Sequence, residues 1–98
     1  MQIKIFDDVS DFLNKISESD AAKILANLKL LQENHTEGLV IKSLKGRIRE
    51  IVVKQYRVIF FQINSTGYVV DTFRKRSKKT PKRILERAEK IYKDIINT

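Results

Sequence analysis

The sequence predicts an α+β fold, and three observations carry that prediction. Two short apolar stripes at helical spacing occupy the first third of the chain. A β-branched, alternating stretch runs from Ile48 to Phe73, and Thr80-Pro81 opens a final amphipathic segment. Taken in order, Gln2 to Phe6 alternates polar and apolar residues and reads as a short strand. Val9, Phe12, Leu13 and Ile16 form the stripe of a first helix, with Asp7, Asp8 or Ser10 as its cap. Ala21, Ile24, Leu25, Leu28 and Leu31 form the stripe of a second helix, capped by Ser17 or Ser19. The short gap between the stripes implies an antiparallel helical hairpin.

After Asn34 the period changes. Residues 35–46 read as a loop that ends in a tight bend at Gly46. Ile48–Val53, Tyr56–Asn64 and Tyr68–Phe73 read as three strands, separated by Lys54-Gln55 and by a turn over Asn64-Ser65-Thr66-Gly67. They form an antiparallel meander that needs only one buried face. Thr80 supplies a capping hydroxyl and Pro81 the first helical position of the last helix. Its inward stripe is Ile84, Leu85, Ala88, Ile91, Tyr92 and Ile95. The order β-α-α-β-β-β-α, with no repeat and no linker, predicts one domain over residues 1–98, helices packed on an antiparallel sheet.

Charge is distributed unevenly along this plan. The chain has 98 residues and a net charge of +8. Residues 1–41 hold 4 Lys against 7 carboxylates, a net of −3, while residues 42–98 hold 16 Lys and Arg against 5 carboxylates, a net of +11. A basic half of this kind calls for an anionic partner, and nucleic acid is the first candidate. With no cysteine, disulfides and thiolate metal sites are excluded, which suits a reducing compartment. The longest apolar runs, such as Val58-Ile59-Phe60-Phe61, are too short to span a bilayer. The N-terminal residues lack the apolar core of a signal peptide, so the expected location is the cytoplasm.

The densest cationic feature is the run from Arg74 to Arg83. Seven of its ten residues are basic: Arg74, Lys75, Arg76, Lys78, Lys79, Lys82 and Arg83. Each cation that neutralises a phosphate releases counterions, and arginine grips a phosphate with two donors. Arg47 and Arg49 on the first strand of the meander, Lys54 at its turn and Arg57 on the central strand add a second set. The meander brings Arg49, Lys54, Arg57, Lys75 and Arg76 toward one concave surface. A structural pairing of Arg57 with Glu50 or Asp71 is the alternative. His35 lies alone in a polar loop and reads as a residue following a helix rather than a catalytic base. No Cys/His cluster, HExxH motif, phosphate-binding glycine loop or paired carboxylate is present, so no metal site and no cofactor are expected.

Several short motifs occur in a fixed order: Lys42-Ser43-Leu44-Lys45-Gly46, Glu50-Ile51, Tyr56-Arg57-Val58-Ile59-Phe60-Phe61, Phe73-Arg74-Lys75-Arg76, Lys79-Thr80-Pro81, and Ala88 in the last helix. In that order, after a helical hairpin ending in Leu30-Leu31-Gln32-Glu33-Asn34, they resemble the RelE/ParE toxin superfamily and, within it, the phage-derived HigB-like branch. The resemblance covers nearly the whole chain. It implies a RelE-like domain acting as the toxin of a type II toxin–antitoxin system, a ribosome-dependent endoribonuclease. Such toxins cut mRNA by attack of the ribose 2′-OH on the adjacent phosphate, without metal or cofactor, through fixed cations and positioning. The implied partners are a cognate antitoxin, usually a helix-turn-helix protein, together with the ribosome and mRNA.

Carried over residue by residue, the resemblance gives Arg57 the stabilisation of the transition-state phosphate, with Arg76 and Lys75 beside it. Beyond these carried-over positions, the charge pattern adds Lys54 and Arg49 to orient the RNA, and Arg47, Arg74, Lys78, Lys79, Lys82 and Arg83 to hold its backbone. Many relatives follow the Glu-Leu pair with arginine, whereas here Glu50-Ile51 is followed by Val52, which removes one cation from the site. The resemblance also admits a ParE-like gyrase poison, and the basic surface alone admits a non-catalytic RNA- or ribosome-binding module.

Overall fold

A computed structural model describes residues 1–98, and it confirms the α+β class. Strand β1 (Gln2–Ile5) leads into helices α1 (Asp7–Leu13) and α2 (Glu18–Gln32). A single 3-10 turn at Thr36–Gly38 precedes strands β2 (Ile41–Lys45), β3 (Ile48–Val53), β4 (Tyr56–Ile63) and β5 (Thr66–Arg74), and helix α3 (Lys82–Ile96) closes the chain. The five strands form one sheet in the order β1-β5-β4-β3-β2. β1 runs parallel to β5, and every other pairing is antiparallel. No helix is long and apolar enough to cross a membrane.

Two expectations about this sheet are corrected. The segment expected to be a loop from 35 to 46 contains β2, an edge strand whose side chains are mostly exposed and so leave little apolar pattern to read. The meander does not bury one face but two. Val58 and Phe60 join Val9, Ile24, Leu28 and Leu31 in a core under α1 and α2. Ile59, Phe61 and Val70 join Ile84 and Ala88 in a second core under α3. β4, central and covered on both sides, is therefore apolar at consecutive positions. A bulge at Val70, where the β4–β5 register shifts, breaks the strand's alternation, so that Val70 and Phe73, three residues apart, both pack under α3 while Val69 faces the other core.

The α3 stripe packs as expected. Phe61, fully buried, is stacked on Tyr68 at 5.5 Å and meets Tyr92 edge-on at 5.2 Å. Burying such a side chain is worth about 1.5–3 kcal/mol. The three tyrosines are thus packing residues in part: Tyr56 is only 1% exposed and meets Phe12 edge-on. In the α2 stripe, Leu25 is the exception, lying half exposed on the solvent side.

Helix starts differ in a way that bears on the site. Ser17 caps α2, its hydroxyl accepting from the Asp20 N–H at 3.1 Å. α1 begins after Phe6 with no side-chain cap, and Asp7 and Asp8 instead lie in its first turn, where they complement the helix dipole. α3 begins after Pro81, also without a side-chain cap. Thr80 does not cap it, because its hydroxyl is committed to Glu50.

Candidate nucleic-acid interface

The site is built on the β3–β4 hairpin. Val53 pairs with Tyr56, so the turn has only two residues, Lys54 and Gln55. Lys54 takes φ +55°, a left-handed conformation that costs a lysine roughly 1–2 kcal/mol. Its carbonyl accepts a hydrogen bond from Arg57 Nη1 at 2.9 Å, and the carbonyl of Tyr56 accepts a second from the same nitrogen at 2.8 Å. The register then sets Val52 opposite Arg57 and Glu50 opposite Ile59, which puts Glu50, Val52 and Arg57 on the α3 side of the sheet.

Glu50 is the one fully buried carboxylate, at 2% exposure. Its Oε2 lies 3.6 Å from Arg57 Nε, and its Oε1 accepts from the Thr80 hydroxyl at 2.9 Å. Arg57 Nε is buried with no hydrogen-bond partner of its own. With Nη1 on two backbone carbonyls and Nε facing Glu50, Nη2 is the nitrogen of Arg57 left to reach an external anion.

Beside this pair opens a cleft of about 350 Å³. Lys42, Lys75, Lys78 and Lys79 line it over the Glu50–Thr80 contact, with Leu44 and Leu85 as apolar wall. None of the four lysines pairs with a carboxylate at salt-bridge distance, and Glu50 is the only acid in the lining. The Lys75 N–H donates to the Gln55 carbonyl at 2.7 Å, which pins the start of the basic loop to the hairpin turn. Four ammonium groups around one concavity suit a phosphodiester backbone.

The expected cations divide among different surroundings. Lys75, Lys78 and Lys79 enter the cleft, and Arg57 sits beside it through Glu50. Arg76 is exposed at the same loop. Arg49 does not converge with them: it stands opposite Phe60, on the face of α1 and α2, three residues and about 10 Å along β3 from Val52. Arg47, in the turn between β2 and β3, borders the hollow beside Arg49 and also one against α3 that contains Glu89. Lys82 pairs with Glu86 on the outside of α3, and Arg83 lines a separate concavity with Asp8 and Asp71. Three polar cleft residues lie outside the sequence expectation: Lys42, Ser43 and Thr80. Lys42 sits directly opposite Glu50 on β2, the exposed edge strand.

Lys54 and Arg74 belong to a network at the end of the hairpin. Tyr56 donates its hydroxyl proton to Asp20 Oδ2 at 2.7 Å and accepts from Arg74 Nη2 at 3.0 Å, while the Arg74 guanidinium lies 5.3 Å from the Tyr56 ring centre. Lys54 Nζ is 3.5 Å from Asp20 Oδ1. The Tyr56 hydroxyl, and after it Lys54, holds the Asp20 carboxyl below its ordinary value. On the far side, Arg87 ties Asp8 and Asp71 together, and burial pushes the Asp71 carboxyl up. His35 stands in an exposed loop beside Glu37 at 3.3 Å.

Residues 11–93 match the profile of a family described as "Phage derived protein Gp49-like (DUF891)". No curated protein matches the chain. Among solved structures, the fold is similar to that of a chain in the crystal structure of an archaeal RelE-RelB complex from Pyrococcus horikoshii OT3. The TM-score is 0.65 at 17% identity, covering 80% of this chain and 97% of that one. Identity that low makes this a likeness of fold.

Proposed function

The chain belongs to the family of phage-derived Gp49-like proteins, and from that premise we propose that it is the toxin of a type II toxin–antitoxin system, cutting mRNA on the ribosome. The observation that carries the reading is the lysine cleft beside the Glu50–Arg57 pair. In the proposed reaction the ribose 2′-oxygen attacks the adjacent phosphorus, the bond to the 5′-oxygen breaks, and a 2′,3′-cyclic phosphate and a 5′-hydroxyl remain. The proton lost by the 2′-OH is balanced by one gained at the leaving 5′-oxygen. Negative charge gathers on the phosphoryl oxygens in the transition state. Lys75, Lys78, Lys79 and Arg57 Nη2 would meet it there, with the Arg57 guanidinium and the Lys75 backbone already held by hydrogen bonds before substrate arrives. Arg76 would extend the grip along the backbone, and Lys42 joins the set from β2. Glu50, engaged on both oxygens, holds Arg57 in place. The partners in this reading are the ribosome, mRNA and a cognate antitoxin that covers the cationic face.

One observation favours a second reading, a non-cleaving RNA-binding module. Arg57 presents one free nitrogen rather than a two-donor fork, and Val52 brings no further cation to it.

Purified protein added to a translating mRNA separates these. Cleavage of the translated message by the wild type, reduced about a hundredfold in Arg57→Ala, is the expected result for a lost transition-state donor. Salt-sensitive ribosome binding with intact message supports the second reading. Intact message together with blocked gyrase supercoiling would replace both with gyrase poisoning. Growth arrest on expression, relieved by a co-expressed neighbouring frame, tests the antitoxin.

A further inference from the structure

We infer that Arg47 and Arg49 form a second phosphate-binding concavity, on the sheet face opposite the lysine cleft, which grips the backbone of a structured RNA while the cleft holds the strand to be cut. The inference rests on the proposed reading of the lysine cleft as the substrate site.

The concavity has a volume of about 490 Å³ and is lined by Gly46, Arg47, Arg49, Phe60, Gln62 and Asn64. It contains no carboxylate. Neither arginine makes a salt bridge or a side-chain hydrogen bond, whereas Arg57, Arg74 and Arg87 all do. Two arginines with no side-chain partner therefore border one hollow, Arg49 on its β3 wall and Arg47 at the rim, where it also borders the α3 side near Glu89. Gly46, at φ +55°, makes the bend between β2 and β3 that lets Arg47 and Arg49 flank the same hollow. The Gln62 amide is fixed by its bond to the Asn64 carbonyl at 2.8 Å and leaves its own oxygen and second N–H toward solvent.

The lining selects among anions. Phe60 is the one apolar member and is only 2% exposed, so it offers no ring face on which a base could stack. It offers no apolar contact for the core of a protein interface either. What remains is a donor set for phosphate oxygens, matched to the backbone rather than to bases. The strand parity separates this hollow from the cleft. Arg49 and Glu50 are neighbours on β3 and point to opposite faces, and on β2 Lys42 stands opposite Glu50. The two concavities thus lie back to back across the β2–β3 edge.

Binding of two probes tests this independently of cleavage: a single-stranded hexanucleotide and an RNA hairpin, each followed by fluorescence anisotropy over a range of KCl. Arg47→Gln with Arg49→Gln is expected to weaken the hairpin and lower the slope of log K against log[salt] by about 1.5, the yield of two phosphate contacts. The hexanucleotide should bind within about twofold of wild type. Lys75→Gln with Lys79→Gln should weaken the hexanucleotide. Equal weakening of both probes by the arginine pair would mean one continuous surface and overturn the inference. No change in either probe would make the arginines a solvated face and overturn it as well. If no cleavage is ever found but the two variants still divide the probes, the second site stands and the proposed nuclease activity falls.

Discussion

Glu50 Oε2 and Arg57 Nε face each other at 3.6 Å across β3 and β4, both shielded from water. Leaving either charge alone in that position is costly, since a buried ion without its partner loses both solvation and attraction. Arg57 keeps its two backbone carbonyls if Glu50 is removed, which softens the loss. Glu50→Ala is therefore expected to destabilise the protein by about 3 kcal/mol, the lower end for a broken buried pair. A double-mutant cycle with Arg57→Met, read by urea denaturation, should show a coupling of roughly 0.5–3 kcal/mol. Additive effects would mean that the two side chains do not interact.

Thr80 supplies the third member of that group. As a helix cap, Thr80→Asp would be harmless or stabilising, because aspartate is among the strongest capping residues. With the Thr80 hydroxyl donating to Glu50 at 2.9 Å, Thr80→Asp instead sets two carboxylates together and removes a donor. It is expected to lower the urea midpoint more than Thr80→Val, which itself loses a hydrogen bond to a charged group worth about 1.5–3 kcal/mol. A rise in midpoint for Thr80→Asp would restore the capping role.

The Glu50–Arg57 relationship was legible in the sequence at one remove. A two-residue turn at Lys54-Gln55 fixes the register, and the register alone puts Glu50 and Arg57 on one face and Arg49 on the other. Charge counting misses this because it ignores strand parity. The run Val58-Ile59-Phe60-Phe61, read as four consecutive apolar residues, likewise signals a strand covered on both sides. Other features leave no local trace. β2 is an exposed edge strand, so its identity depends on pairing with β3. Thr80 followed by Pro81 carries a sound capping signal locally, and a contact thirty residues away overrides it.

Asp20 makes stability depend on pH at the other end of the hairpin. Its carboxyl is held below the ordinary value first by the Tyr56 hydroxyl and then by Lys54. A depressed folded value means that the contribution is fully present above the unfolded carboxylate value of about 4 and is lost as pH falls through the folded one. Asp20→Asn and Tyr56→Phe should each lower the urea midpoint at pH 7. Each should also flatten the part of its decline that lies below about pH 4. If Asn at position 20 left the whole acid decline intact, another carboxylate would have to carry it.

Val52 lies directly opposite Arg57 and half-buried on the same face as Glu50, at the position where the family resemblance leads one to expect arginine. Val52→Arg would add a cation beside Arg57 and give Glu50 a second partner. Like charges placed directly opposite cost about 0.2–1 kcal/mol, so a modest loss of stability is expected. An added phosphate contact steepens the dependence of log K on log[salt] by about 0.7–0.9. Tighter RNA binding at low salt, converging with wild type as salt rises, is therefore the expected signature. On the ribosome, faster cleavage by Val52→Arg would mean that the single free nitrogen of Arg57 limits the reaction. Unchanged cleavage with tighter binding would assign the chemistry to the lysine cleft, because the new charge would then act on affinity alone.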